Sequence, residues 1–173
     1  SLMKLKKRYI RAIEFVHYLL FRLLSWSINL IPFRWAVSLG RGGGRLLYYL
    51  LPRYRRVALA NLREVFRTEK SELQVKRVAL QAFENLGLFA VEFLSIPRLT
   101  QDLNRYVVLR NAQAIFTALE SGKGAILTIS HFGNWEWMAV AAGPVFSENG
   151  FSIHAVARPL GNPFLYRCVK ELR

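Results

Sequence analysis

Apolar and polar positions follow two different textures along the chain. From residue 10 to about residue 100, apolar side chains recur every three or four positions, the period of helices. In residues 10–31 the polar members Arg11, Glu14, Tyr18, Arg22, Ser25 and Asn29 fall on one stripe of an otherwise Leu-, Ile-, Phe- and Trp-rich helix. Such a helix is expected to be membrane-associated: it can lie in the interface, or span the bilayer if its stripe faces protein. At ~1.5 Å per residue it is long enough for a core of ~30 Å. Arg22 at mid-segment opposes spanning by about 2.5–3.5 kcal/mol. Pro32 ends this helix, a second is predicted from about Arg34 to Leu51, and Pro52 opens a third. Ser71-Glu-Leu-Gln74 fits a capping box. It starts a helix to about Leu94 with Val75, Val78, Ala79, Ala82, Phe83, Leu86 and Phe89 on its apolar face, closed by Ile96-Pro97.

Beyond residue 105 the texture becomes short apolar runs between turn residues. Tyr106–Leu109, Ala125–Ile129 and Phe151–Ala157 are predicted strands. Between them lie a helix capped by Asn111 and running through Leu119, a Ser121–Gly124 turn, a helix from about Trp135 to Phe146, and a Glu148–Gly150 turn. The loop Arg158–Pro163 precedes a last helix from Phe164. Strand and helix in alternation predict an α/β fold: amino-terminal membrane-associated helices, then a truncated parallel sheet flanked by helices. The expected domains are a membrane-associated helix over 1–31 and a catalytic domain over 32–173. The latter has a helical part (32–100) and an α/β part (101–173) that is incomplete at its carboxyl end.

Charge changes the picture of the helical half. Of the 173 residues 53% are hydrophobic, yet the net charge is +14. Residues 1–70 hold 15 of the 25 Lys/Arg and 3 of the 11 Asp/Glu. A basic and apolar half suits an anionic membrane surface or an acidic protein partner. Nucleic acid is set aside, because the arginines alternate with leucines and no nucleic-acid motif is present. The basic start followed by an apolar run lacks a small-residue cleavage site and is read as retained. One cysteine, Cys168, excludes an internal disulfide and a cysteine-based zinc site. Gly40-Arg-Gly-Gly-Gly-Arg45 lacks the Lys-Ser/Thr of a phosphate loop and is better read as close helix packing or a local break. Arg53, Arg55 and Arg56 are lipid-phosphate contacts or a solvated basic face.

The candidate chemistry lies in Ser130-His-Phe-Gly-Asn-Trp-Glu136. On one continuous helix, His131 and Glu136 would point about 140° apart at ~3.6 residues per turn. They meet if His131 is in a loop, Gly133 makes a sharp turn, and Asn134 caps a helix carrying Glu136 in its first turn. A carboxylate on one imidazole nitrogen leaves the other free as a base. No Gly-x-Ser-x-Gly elbow is present and Ser130 is expected to point away. The pair therefore suits direct deprotonation of a substrate hydroxyl, with a thioester as donor. His154, inside a predicted strand, is read as structural, and no metal is expected.

These residues resemble the His-x4-Asp/Glu motif of glycerolipid-type acyltransferases, of the lysophospholipid acyltransferase-like superfamily. They are closer still to the His-Phe-Gly-Asn-Trp-Glu form of the lipid A biosynthesis acyltransferases, the lauroyl and myristoyl transferases. Arg53-Tyr-Arg-Arg-Val-Ala-Leu-Ala-Asn-Leu62, Phe83-Glu-Asn-Leu-Gly87 and Ala157-Arg-Pro-Leu-Gly-Asn-Pro163 are similar to further blocks of that family.

The resemblance implies a fatty acyl transfer from acyl carrier protein to a hydroxyl of a phosphorylated glycolipid, at the cytoplasmic face of the bacterial inner membrane, without cofactor. It makes His131 the general base and Glu136 its orienting partner. Gly133 and Asn134 shape the turn, and Arg158 and Asn162 come from the second block. Arg158 would contact a substrate phosphate or the oxyanion, or else cap a helix end. Gly161 departs from the family pattern, where a larger polar residue is expected. Family members also continue past the second block, so part of the acyl pocket is expected to be missing. The alternatives are the same chemistry on another glycolipid or glycerolipid, or an inactive membrane-binding fragment.

Overall fold

A computed structural model describes residues 2–130, 132–156 and 158–172. The chain divides into two compact units, residues 27–94 and residues 1–26 with 95–173. Its helices are α1 (Leu2–Leu30), α2 (Phe33–Leu50), α3 (Pro52–Phe66), α4 (Glu72–Leu94), α5 (Ile96–Leu99), α6 (Leu103–Tyr106), α7 (Gln113–Glu120), α8 (Trp135–Glu148) and α9 (Pro163–Leu172). A single 3₁₀ turn, Thr100–Asp102, joins α5 to α6.

The unit 27–94 is built on the crossing of α2 with α4. Ala36, Gly40, Gly44 and Tyr48 are the buried residues of α2, one every fourth position. Across from them Val75, Ala79, Phe83, Gly87 and Val91 repeat the same spacing on α4, so both helices pack through their fourth-residue ridges. The backbones approach so closely that a Cβ on Gly40 would sit 2.8 Å from the Gly87 carbonyl oxygen. One on Gly44 would strike the Phe83 carbonyl, and one on Gly87 the Gly40 carbonyl. Close packing is thus the role of Gly40 and Gly44, while Gly42 and Gly43 face open space.

The face of α4 used in packing is narrower than its apolar pattern suggests. Val75, Ala79 and Phe83 are buried, whereas Leu86 is 57% exposed and Ala82 is exposed too. Glycine at 87 draws α2 onto the line 79–83–87 and leaves the neighbouring ridge outside. Tyr48, Leu59, Val75, Ala79 and Phe83 form the core cluster. In it the Tyr48 and Phe83 rings meet edge to face, with centroids 5.5 Å apart. The guanidinium of Arg55 lies over the Tyr48 ring, 5.4 Å from its centroid, so Arg55 is a packing residue, while Arg53 and Arg56 are exposed.

The capping box forms as expected. The Ser71 N–H donates to Gln74 Oε1 at 2.8 Å, and the Gln74 N–H donates to Ser71 Oγ at 3.4 Å. Arg63 of α3 donates twice to Glu72 at the start of α4, at 3.0 and 2.6 Å. The hydrogen bond from Arg63 holds the Glu72 carboxyl below its usual value and raises Arg63. A carboxyl depressed on folding stabilises the fold above its unfolded pKa, and that contribution is lost as pH falls through the folded value. Wild type is expected to lose denaturation midpoint relative to Glu72→Gln as pH drops from about 5 to about 3. The difference is small because the pair is exposed.

Residues 95–173 overturn the expected α/β architecture. Among the described residues there is no strand, and the chain is all-α. The segments predicted as strands run as follows: Tyr106 ends α6 while 107–110 is irregular, 124–130 is irregular, and so is the described part of Phe151–Ala157, residues 151–156. Their apolar side chains are largely uncovered, with Val108 76%, Ile126 94% and Val156 107% exposed. Short apolar runs between turns specify a local preference only. A strand also needs a neighbour to accept its backbone hydrogen bonds, and these segments do not supply one another with such pairing.

The turn at the end of α8 is as expected. The Phe151 N–H bonds to the Phe146 carbonyl and the Gly150 N–H to Ser147, around Gly150 at φ 79°. This is a Schellman closure with glycine at its left-handed position. The Phe116 ring of α7 lies against both Phe146 and Phe151. Asn111 is not the cap of α7: it adopts φ 59°, and Ala112 precedes the helix without a side-chain cap. Asparagine tolerates that left-handed backbone, which gives it a different use at the same place.

In α1 the polar stripe turns inward and the apolar surface outward. Glu14, Tyr18, Ser25 and Asn29 are half-buried, while Val16, Leu20, Leu23, Leu24 and Trp26 are more than half exposed. Asn29 Nδ2 donates to the Leu94 carbonyl at 2.9 Å. Arg11 and Arg22 are exposed. No single helix among the described residues is long and apolar enough to cross a membrane.

Candidate functional site

Two helix starts place Asn134, Glu136 and Asn162 among the predicted site residues. At α8, Asn134 is the N-cap, with φ −104° and ψ 86°, and its Oδ1 accepts the Trp137 N–H at 3.1 Å. The Asn134 carbonyl accepts the first intrahelical bond, from the Met138 N–H at 3.1 Å. Glu136 therefore falls in the first turn, half-buried, where the helix dipole favours a carboxylate. Gly133, immediately before the cap, has φ 66°, a conformation that disfavours any side chain at this turn. The Phe132 N–H donates to the Ser130 carbonyl at 2.7 Å, and the Phe132 ring is 90% exposed. His131 lies outside the described residues.

Asn162 is the corresponding residue of α9. Its Oδ1 accepts the Phe164 and Leu165 N–H groups at 3.0 and 3.1 Å, which makes it a helix cap. Its Nδ2 donates to the Glu14 carbonyl of α1 at 2.9 Å. Phe164 packs on the same stretch of α1, its ring centroid 5.4 Å from Phe15 and 6.2 Å from Tyr18. Both ends of the Asn162 amide are thus engaged in holding α9 to α1. The signal for the cap was in the sequence, an asparagine directly before a proline at the first helical position. The bond to Glu14, 148 positions away, had none.

Asn162→Ala is expected to lower stability by about 1–2 kcal/mol, from the cap and the bond to α1 together. Thermal unfolding followed by circular dichroism measures it. Arg158 is exposed on the loop ahead of α9, and His154 is exposed in the irregular segment 151–156 rather than enclosed in a strand. The structure thus gathers Gly133, Asn134 and Glu136 at one helix start. It sets Asn162 at another, with Arg158 on the approach to it.

The class of protein that carries these blocks is an acyltransferase. The model of the bacterial lipid A biosynthesis acyltransferase family matches residues 2–173, and the chain belongs to that family. Searches of curated proteins and of solved structures returned no match.

Proposed function

We propose that the chain transfers a fatty acyl group from an acyl carrier protein thioester to a hydroxyl of a lipid A precursor. One observation carries the reading within this family: the Asn134-capped start of α8 holds Glu136 in its first turn, five residues after His131. In this mechanism an imidazole nitrogen of His131 takes the acceptor's hydroxyl proton as the oxygen attacks the thioester carbonyl. The tetrahedral intermediate collapses with cleavage of the C–S bond, and the proton passes to the departing sulfur. A thiol of pKa ~8.5 leaves readily, so no second strong acid is needed. Glu136 orients the imidazole and stabilises its protonated form.

Gly133 and Asn134 shape the turn, and exposed Arg158 is free to meet a phosphate of the acceptor or the developing oxyanion. Asn162 contributes by fixing the loop that carries Arg158. The reaction takes place at the cytoplasmic face of the inner membrane. The outward apolar face of α1 supports that location, as does the basic amino-terminal half, which also complements an acidic carrier protein.

Glu136→Gln keeps the shape of the side chain and removes its charge. It is expected to lower kcat about 10- to 100-fold with KM for the carrier substrate little changed, and to shift the acidic limb of the pH–rate profile to lower pH. Wild-type kcat in this variant would remove Glu136 from the mechanism.

A further inference from the structure

Two of the glycines that let α2 and α4 touch are each followed directly by an arginine, Gly40-Arg41 and Gly44-Arg45. Four residues apart, the arginines are neighbours on one flank of α2. Arg45 reaches across to α4 and donates twice to Glu84 Oε1, at 2.8 and 2.6 Å. Arg41 lines a solvent-open groove of about 340 Å³ together with Gln81, Glu84 and Asn85 of α4. The groove exists because glycines at 40, 44 and 87 bring the two backbones into contact, which sets the arginine flank against these polar residues.

Most of the hydrogen-bonding capacity of the groove is unused. Among the described residues Arg41, Gln81 and Asn85 have no hydrogen-bond partner. Glu84 Oε2 accepts nothing either, since Arg45 directs both of its bonds to Oε1. Gln81 and Asn85, again four apart, stand side by side on α4. Two guanidinium groups beside one carboxylate leave the place with an excess of positive charge.

These groups define their complement. The Arg41 guanidinium offers donors only, in a fork that fits phosphate. The free Glu84 oxygen offers an acceptor only, and each amide offers both, which matches hydroxyls that donate and accept. A bare phosphate would leave the carboxylate oxygen and the amide carbonyls unmatched. A neutral sugar would leave Arg41 unmatched. A phosphate carried on a hydroxylated ring satisfies them all, and the volume lies at the lower end of the range for ligand sites.

We propose that the groove between α2 and α4 binds a phosphorylated sugar, its phosphate on Arg41 and its ring hydroxyls on Gln81, Glu84 and Asn85. The site uses none of the residues at the start of α8. It stands on the α2–α4 crossing alone, so its failure would leave the proposed acyl transfer untouched.

The test is NMR of the isotope-labelled full chain in detergent micelles, titrated with glucose 1-phosphate, inorganic phosphate or glucose at millimolar concentration. The sugar phosphate is expected to shift the Arg41 Nε–H and the side-chain amide signals of Gln81 and Asn85. It should bind about tenfold or more tighter than phosphate or glucose. Arg41→Gln should weaken the sugar phosphate about tenfold or more and leave the affinity for glucose unchanged. Gln81→Ala with Asn85→Ala should weaken both. All three positions are exposed, so the variants should keep the helical circular dichroism of wild type.

A second arm supplies the same chemistry from a lipid, as the lipid A precursor embedded in the micelle. Shifts with glucose 1-phosphate in plain micelles would assign a soluble ligand, and shifts with the precursor alone a lipid headgroup; either supports the site. Inorganic phosphate binding as tightly as the sugar phosphate would overturn the sugar, and glucose binding as tightly would overturn the phosphate. No movement of the Arg41, Gln81 and Asn85 signals with any probe would overturn the site itself.

Discussion

Gly87→Ala is expected to destabilise the unit 27–94 by about 3 kcal/mol, at the upper end of the overpacking range. The added methyl would strike the carbonyl oxygen of Gly40, a backbone atom that cannot rotate aside. Relief requires α2 and α4 to move apart, and that separation would also loosen Tyr48 from Phe83, the edge-to-face pair of the core. Gly43→Ala is the matched comparison: its Cβ meets nothing within 4 Å. In a helix interior it should stabilise by about 0.5–1 kcal/mol, by restricting the unfolded chain and favouring the helix. Opposite signs for one substitution type within one helix pair would be difficult to produce by any route except the crossing itself. Urea unfolding followed by far-ultraviolet circular dichroism reads both; equal effects at 43 and 87 would show that the helices do not meet there.

His131→Ala is expected to lower kcat by about 10²–10⁴-fold, the usual contribution of a positioned general base. Stability should change little beside Gly87→Ala, since the substitution leaves the Asn134 cap of α8 in place. If His131 acts on the acceptor hydroxyl, exogenous imidazole should restore part of the lost rate. A variant with unchanged kcat would assign the proton transfer to another group.

The helix ends were legible because such boundaries are local chemistry. Ser71 and Gln74 satisfy each other's backbone donors, Pro52 stands in the first turn of α3, and Gly150 takes the left-handed position after α8. Each is decided by neighbours within a few residues. The α/β layer was misread because a strand is decided elsewhere: Ala125–Ile129 has the composition of a buried strand, yet Ile126 is 94% exposed and no strand pairs with the segment among the described residues.

The outer face of α4 failed for a related reason. Periodicity marks every apolar position, but the approach of Gly40 to Gly87 selects which ridge is covered. At the candidate site, Asn134 and Glu136 were legible through the cap that places them. Asn162 was legible as a member of a block but not as the tie to Glu14, since a contact across 148 positions leaves no trace in local spacing.

The most direct measurement is mass spectrometry of a lipid A precursor incubated with acyl carrier protein bearing a labelled acyl chain and membranes containing the chain. The account predicts a product heavier by one labelled acyl ester, formed by wild type and nearly absent with His131→Ala. Folded, membrane-bound wild-type protein that leaves the precursor unchanged would contradict it.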